Sequence, residues 1–183
     1  MTATILILVA GALVYVRSTG LTARATPPVL EAKVARSVRA LAISGGERRR
    51  ANPVPRSEEA VRAGLEHYAD HCAVCHANDG SGSTQFGRGM FPPPPDLRAA
   101  PTQEMSDGEL FYIIENGIRF TGMPAFATGS AEGEAESWKL VHFIRRLPRL
   151  SEAEQERIKA LNPRSPEEIR QEIEEEEFLR GSP

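Results

Sequence analysis

The chain has 183 residues, 40% of them hydrophobic and 26% charged, with a formal net charge of −3. That length suits one compact domain with extensions. Two cysteines cannot build a disulfide scaffold, and the absence of a broad basic face with interleaved aromatics argues against nucleic acid as a partner.

The mild total charge hides an uneven distribution. Residues 1–56 carry nine Lys/Arg against two Glu, residues 57–150 eight against thirteen, and residues 151–183 five against ten, giving +7, −5 and −5. A basic N-terminal arm therefore precedes an acidic remainder.

The arm opens with an apolar run from Ile5 to Val16. As a helix that run covers only about 18 Å, against roughly 30 Å of hydrocarbon. Extended from Met1 through Ala25 it becomes marginally sufficient, with Arg17 and Arg24 able to snorkel to an interface. Residues 1–25 are thus expected to be a membrane anchor, or a signal segment cleaved after Ala23-Arg24-Ala25. Residues 26–56 follow as an amphipathic helix and a linker. Leu30, Val34, Val38 and Leu41 share one helical face, suited to a membrane surface, a partner or plain solvated connection. "GGERRRANPVP" reads as the linker.

The core is expected over residues 57–150. Ser57 can cap a helix whose first turn holds Glu58 and Glu59. Val61, Gly64, Leu65, Tyr68 and Cys72 recur along it at helical spacing. It runs directly into "HCAVCH", which contains both cysteines and two of the four histidines. A Gly- and Pro-rich stretch, Ala77–Leu97, comes next, and a loop that long inside a domain is usually functional or wrapped around something. "SDGELFYIIENG" is a helix with a Ser106/Glu109 capping box and Gly117 past its end. After the loop "IRFTGMPAFATGS", the segment "EGEAESWKLVHFIRRLP" is a helix with Trp138, Leu140, Val141, Phe143 and Ile144 on its apolar side. Residues 151–183 read as an acidic helical extension with capping pairs Ser151/Glu154 and Ser165/Glu168. Its apolar positions Ile158, Leu161, Ile169, Ile173 and Phe178 need a surface, on a partner subunit or on the outside of the core. The core itself is expected to be complete without them.

Three chemistries compete for the cysteine cluster. A structural zinc site usually draws on two separated knuckles. Here His71/Cys72 and Cys75/His76 are adjacent pairs, and the other histidines are His67 and His142. A redox dithiol would follow a strand in a βαβ unit, and this chain shows no strand-like alternation. The third is covalent haem: Cys-x-x-Cys-His is the attachment signature of c-type haem. Cys72 and Cys75 would add across the two vinyl groups, and His76 would be the proximal iron ligand.

The stretch from about Ser57 to Leu150 resembles class I monohaem cytochromes c. Gly64 and Tyr68, followed by Cys72, are similar to that family's N-terminal helix, and Leu140 and Phe143 to its partners on the C-terminal helix. "TGMPAF" resembles the family's distal loop, which implies Met123 as the sixth ligand. The resemblance implies an all-α class I cytochrome c fold around one covalent haem c, with the N-terminal membrane helix and C-terminal extension as additions. Met90, Met105 and His142 are the other candidates for the distal position. Ring packing around the haem is expected from Phe91, Phe111, Tyr112, Phe120 and Phe126, and a propionate contact from Arg98 or Trp138.

His/Met ligation favours ferrous iron and fills the sixth site, so the expected role is one-electron transfer rather than catalysis. The alternatives are a haem-based ligand sensor and a structural haem subunit. The resemblance implies a membrane-anchored bacterial subgroup with its haem domain facing the periplasm. The expected partners are the lipid bilayer and a membrane-bound redox complex, a quinol-oxidising complex and/or a terminal oxidase.

Overall fold

The computed structural model describes residues 2–20, 22–163 and 166–181. They form ten α-helices: α1 (Thr2–Thr19), α2 (Val29–Ala42), α3 (Gly45–Arg48), α4 (Glu58–His71), α5 (Ala73–His76), α6 (Ala100–Gln103), α7 (Asp107–Asn116), α8 (Ala131–Arg146), α9 (Glu152–Leu161) and α10 (Pro166–Leu179). No strand occurs among the described residues, so the all-α expectation holds.

The core is built on the crossing of α4 and α8. Ser57 accepts from Ala60 N and starts α4 as expected. Ser130 does the same for α8 through Gly133 N. Gly64 sits at the crossing point: a Cβ there would lie within contact distance of the Lys139 carbonyl and 2.9 Å from Phe143 Cβ. The two backbones therefore touch. Tyr68 and Phe143, both fully buried, pack one turn further on with ring centroids 5.1 Å apart. α7 joins through Phe111, which stacks on Trp138 at 4.0 Å and 8°. Its start is locked by the Ser106/Glu109 capping box.

Three expectations are corrected. The first concerns the membrane helix. α1 ends at Thr19, where Gly20 takes φ +70, so the extension through Ala25 does not form. Its 18 residues rise about 27 Å. Among the described residues no helix is long and apolar enough to cross a membrane. The lipid bilayer as a partner through this segment loses its support with that helix.

The second concerns the linker. α2 forms as expected with Leu30, Val34, Val38 and Leu41 exposed, but the stretch after it is a strap laid across α7 and α8. Ile43 is buried. A Cβ on Gly108 would collide with the Glu47 carbonyl, so α3 lies directly on the first turn of α7. Arg50 stands over both Phe111 and Trp138, 4.5 and 5.4 Å from the ring centroids. Asn52 Nδ2 donates to Trp138 O at 2.9 Å, and His142 Nε2 meets Val54 O at 2.8 Å. Glycines, arginines and prolines give this strap a linker's composition, yet its partners lie 86 and 88 residues away.

The third concerns the C-terminal extension. α9 packs against α4, with Ile158 at 0% exposure inside the hydrophobic core. Arg157 pairs with Glu66 at 3.1 Å and Arg146 with Glu154 at 2.9 Å. The Ser151/Glu154 capping box is present. Of the two surfaces expected for these helices, α9 takes the outside of the core. Ser165 lies outside the described residues, and with it the Ser165/Glu168 pair; of Ile169 only the backbone, in α10, is described. In α10 the acidic run Glu174–Glu177 is exposed, as are Ile173 and Phe178.

Two outcomes follow for stability. Gly64→Ala should lower the unfolding free energy by about 1–3 kcal/mol, the usual cost of overpacking a rigid contact, whereas Gly89→Ala, with nothing near its Cβ, should change it little. Truncation after Leu150 empties the Ile158 site. It should destabilise the domain by at least the roughly 2–5 kcal/mol of a large-to-alanine core change, read by denaturant titration of the haem-loaded protein.

Candidate functional site

α4 delivers the cysteine cluster by running out at it. Cys72 N donates to Tyr68 O at 2.9 Å as the last bond of the helix. The chain then turns once more as α5, with His76 N bonded to Cys72 O at 2.9 Å. Both cysteines are free thiols, Cys72 buried and Cys75 partly exposed. Tyr68 ties the two sides of the turn together: its hydroxyl donates to Ala77 O at 2.7 Å. Ala77 takes φ +63, a left-handed conformation for a residue with a Cβ. The turn is thus held from the helix behind it.

The Gly- and Pro-rich stretch wraps back over this turn. Gly82 N donates to His76 O, and Leu97 N to Gly80 O, at 2.9 and 2.8 Å. Gly82 has φ +74, and a Cβ on it would sit 2.5 Å from Pro94 O, so the proline run lies flush against the residues that follow His76. Thr84 Oγ1 donates to Cys75 O and accepts from Gly87 N. Arg98 fastens the arrangement. It donates to Asp79 Oδ2 at 2.8 Å and to both carboxylate oxygens of Asp96 at 2.8 and 2.9 Å. This clasp joins the loop after His76 to the end of the proline run. Its guanidinium is taken up by two carboxylates, which argues against the propionate contact expected of Arg98. Sequence reasoning missed the clasp. Its only local signal is the Asp96-x-Arg98 spacing, and Asp79 lies 19 residues away.

The electrostatics discriminate among the three chemistries. Burial pushes the Cys72 thiol up to about 12, and Cys75 is raised for the same reason. A working redox dithiol needs a depressed thiol, so these cysteines lack that activation. Among the described residues no group of three or more His, Cys, Asp or Glu side chains could hold a metal ion, which removes the zinc knuckle. The cluster does suit haem. Two thiols and an imidazole stand on one turn, and His76 Nδ1 is buried without a hydrogen bond of good geometry. Burial lowers the His76 pKa, so the ring is neutral and able to ligate, while the Pro95 carbonyl acts on it in the opposite sense. That carbonyl is the natural acceptor for the Nδ1 proton of a ligating histidine.

The distal candidates separate by environment. His142 is buried and bonded to Val54 O. Met105 packs against the hydrophobic core. Met123 lies in a loop folded back on the end of α7: its carbonyl accepts from Ile118 N at 3.1 Å, and Phe126 N donates to Ile114 O. Gly117, at φ +64, leaves 2.7 Å between its notional Cβ and Met123 O. Met90 comes to the same loop, its Sδ 2.6 Å from where a Gly122 Cβ would stand. The two methionines left as candidates are neighbours in space, although 33 residues apart in sequence.

The aromatics expected around the haem stand in different surroundings. Phe111 belongs to the α7–α8 stack, and Phe120, at φ +62, is 93% exposed. Phe126 meets the His71 ring edge-on at 6.2 Å. Trp138 Nε1 is buried without a hydrogen-bond partner, but its ring is stacked on Phe111, with Arg50 over both.

The raised thiols give a check on this geometry. In protein expressed without haem attachment, iodoacetamide at neutral pH should modify Cys75 before Cys72. Equal rates would mean that the end of α4 is open.

No curated protein matches the chain. Residues 59–144 match the family described as cytochrome C oxidase, cbb3-type, subunit III. The match runs from the first turn of α4 to the last of α8 and contains the Cys-x-x-Cys-His turn and the distal loop. Residues 59–144 are therefore a class I monohaem cytochrome c domain, and the cofactor they carry is covalently bound haem c.

Proposed function

We infer that the protein is a one-electron carrier of a periplasmic respiratory chain, working beside or within an oxidase-type redox complex. The observation that carries this reading is the Cys72–His76 turn, packed at the end of α4 and covered by the proline run, inside a domain of the cytochrome c family. Cys72 and Cys75 would hold the haem as thioethers, His76 would be the proximal ligand and Met123 the distal one. When bound, the haem supplies the single-electron chemistry.

The chain's own residues set the conditions for that chemistry. His76 is held neutral by burial, and the Pro95 carbonyl would accept its Nδ1 proton once it ligates. Pro94 and Pro95, packed on Gly82, offer carbonyls and apolar rings but no backbone donors. A filled sixth position leaves no place for substrate, so the reading is of a carrier and not of an enzyme. Haem c is attached outside the cytoplasm, which supports a periplasmic domain. The family description supports an oxidase as the complex it serves, and a quinol-oxidising complex is the matching source of electrons.

Met123→Ala should keep the haem attached, abolish the far-red sulfur–iron band and lower the reduction potential. A band that survives in Met123→Ala and disappears in Met90→Ala would transfer the distal role to Met90. Cys72→Ala and Cys75→Ala should each impair covalent attachment on a haem-stained gel. Carbon monoxide should not bind the reduced wild type readily; rapid binding would point to a ligand sensor instead.

A further inference from the structure

Two histidines of α4 have no part in haem attachment. His67 and His71 stand four residues apart, so both leave the same face of the helix. Their ring centroids are 4.9 Å apart, with planes 30° from each other. His67 Nε2 is fully buried and makes no hydrogen bond, a situation that is unfavourable when nothing offsets it. His71 Nδ1 lies 3.2 Å from Asp70 Oδ2. A carboxylate in that position draws the imidazole proton to Nδ1 and leaves the lone pair on Nε2. The pair thus has one nitrogen in need of a partner and a second prepared as a donor atom.

The surroundings favour a cation. Asp70 and Glu136 both act electrostatically on His67, and Glu136 is itself held by Lys139. Burial and the neighbouring His71 lower the His67 pKa, so the ring is neutral at neutral pH, as a ligand must be. Histidines at i and i+4 on one helix face have the spacing used to grip zinc. Imidazole nitrogen selects zinc, copper or nickel over magnesium and calcium, which take oxygen.

We propose that His67 and His71 form a two-imidazole site for a divalent transition-metal cation of the zinc or copper type, completed by water, at the rim of the haem crevice. The location follows from the chain: His71 directly precedes Cys72, and its ring meets Phe126, three residues beyond Met123. A dication there adds positive charge beside the haem and favours its reduced form. The site stands on its own geometry; only its effect on the haem rests on the function proposed above.

The test is calorimetric titration of the untagged, haem-loaded full chain with zinc chloride and copper(II) chloride, with magnesium chloride as control. One equivalent of zinc or copper should bind, and none of magnesium. His71→Ala, at an exposed position, and His67→Ala should each weaken binding roughly tenfold or more, with an unchanged haem spectrum as the sign of an intact fold. Zinc should raise the reduction potential of the wild type and leave that of His71→Ala unmoved. No binding, or binding unchanged in both variants, overturns the site. If the chain proves to carry no haem, the same titration with Cys72 and Cys75 alkylated still decides it, so the two readings fail separately.

Discussion

The structure depends on one contact: the backbone of α4 against the backbone of α8 at Gly64 and Lys139. Helices normally pack at 8–10 Å because side chains separate them. Removing the side chain at one position lets the axes approach, and the large rings of Tyr68 and Phe143 then close the gap on the next turn. The direction of α4 is fixed by that approach. So is the place where it ends, and the cysteine turn is built on that end. Elements added outside the crossing brace it. α7 fixes the far side of α8 through Phe111 and Trp138, the N-terminal strap covers their exposed edge, and α9 covers α4 with Ile158.

The site inherits its rigidity from this frame in two steps. Tyr68 is both a core side chain and a hydrogen-bond donor to Ala77 O, so core packing and turn geometry share one residue. The proline run is then fixed to the turn by polar rather than apolar means, through Arg98 and its two aspartates. Exposed ion pairs are usually weak. This one has the planar two-pronged geometry that makes arginine–carboxylate pairs directional, and its role is to hold two loop segments in register.

Much of this was legible in the sequence, because the strongest signals were local. Capping residues Ser57, Ser106 and Ser151 each take up a backbone N–H at a helix start, and a cap needs only residues three apart. Gly64, Tyr68 and Cys72 were readable as a set because they share one helical face. What was missed is long-range. The segment from Gly45 to Pro55 has a linker's composition and a strap's contacts, and no local rule connects Asn52 with Trp138 O. The membrane span was over-read because apolar residues were counted without fixing where the helix stops; Gly20 stops it. Phe120 was assigned to the haem shell by residue type, and it stands exposed at φ +62.

The separation of the two halves of the crossing has a consequence for how the protein matures. Gly64 and Lys139 are 75 residues apart. A chain delivered N-terminus first therefore presents α4 with nothing to pack on until α8 has followed. During that interval Tyr68, which ties the cysteine turn to the core through Ala77 O, lacks the Phe143 ring it packs on. Arrival of α8 ends the interval by covering Tyr68. Topology thus makes the support of the attachment turn a long-range affair: it is complete only when both ends of the domain are in place.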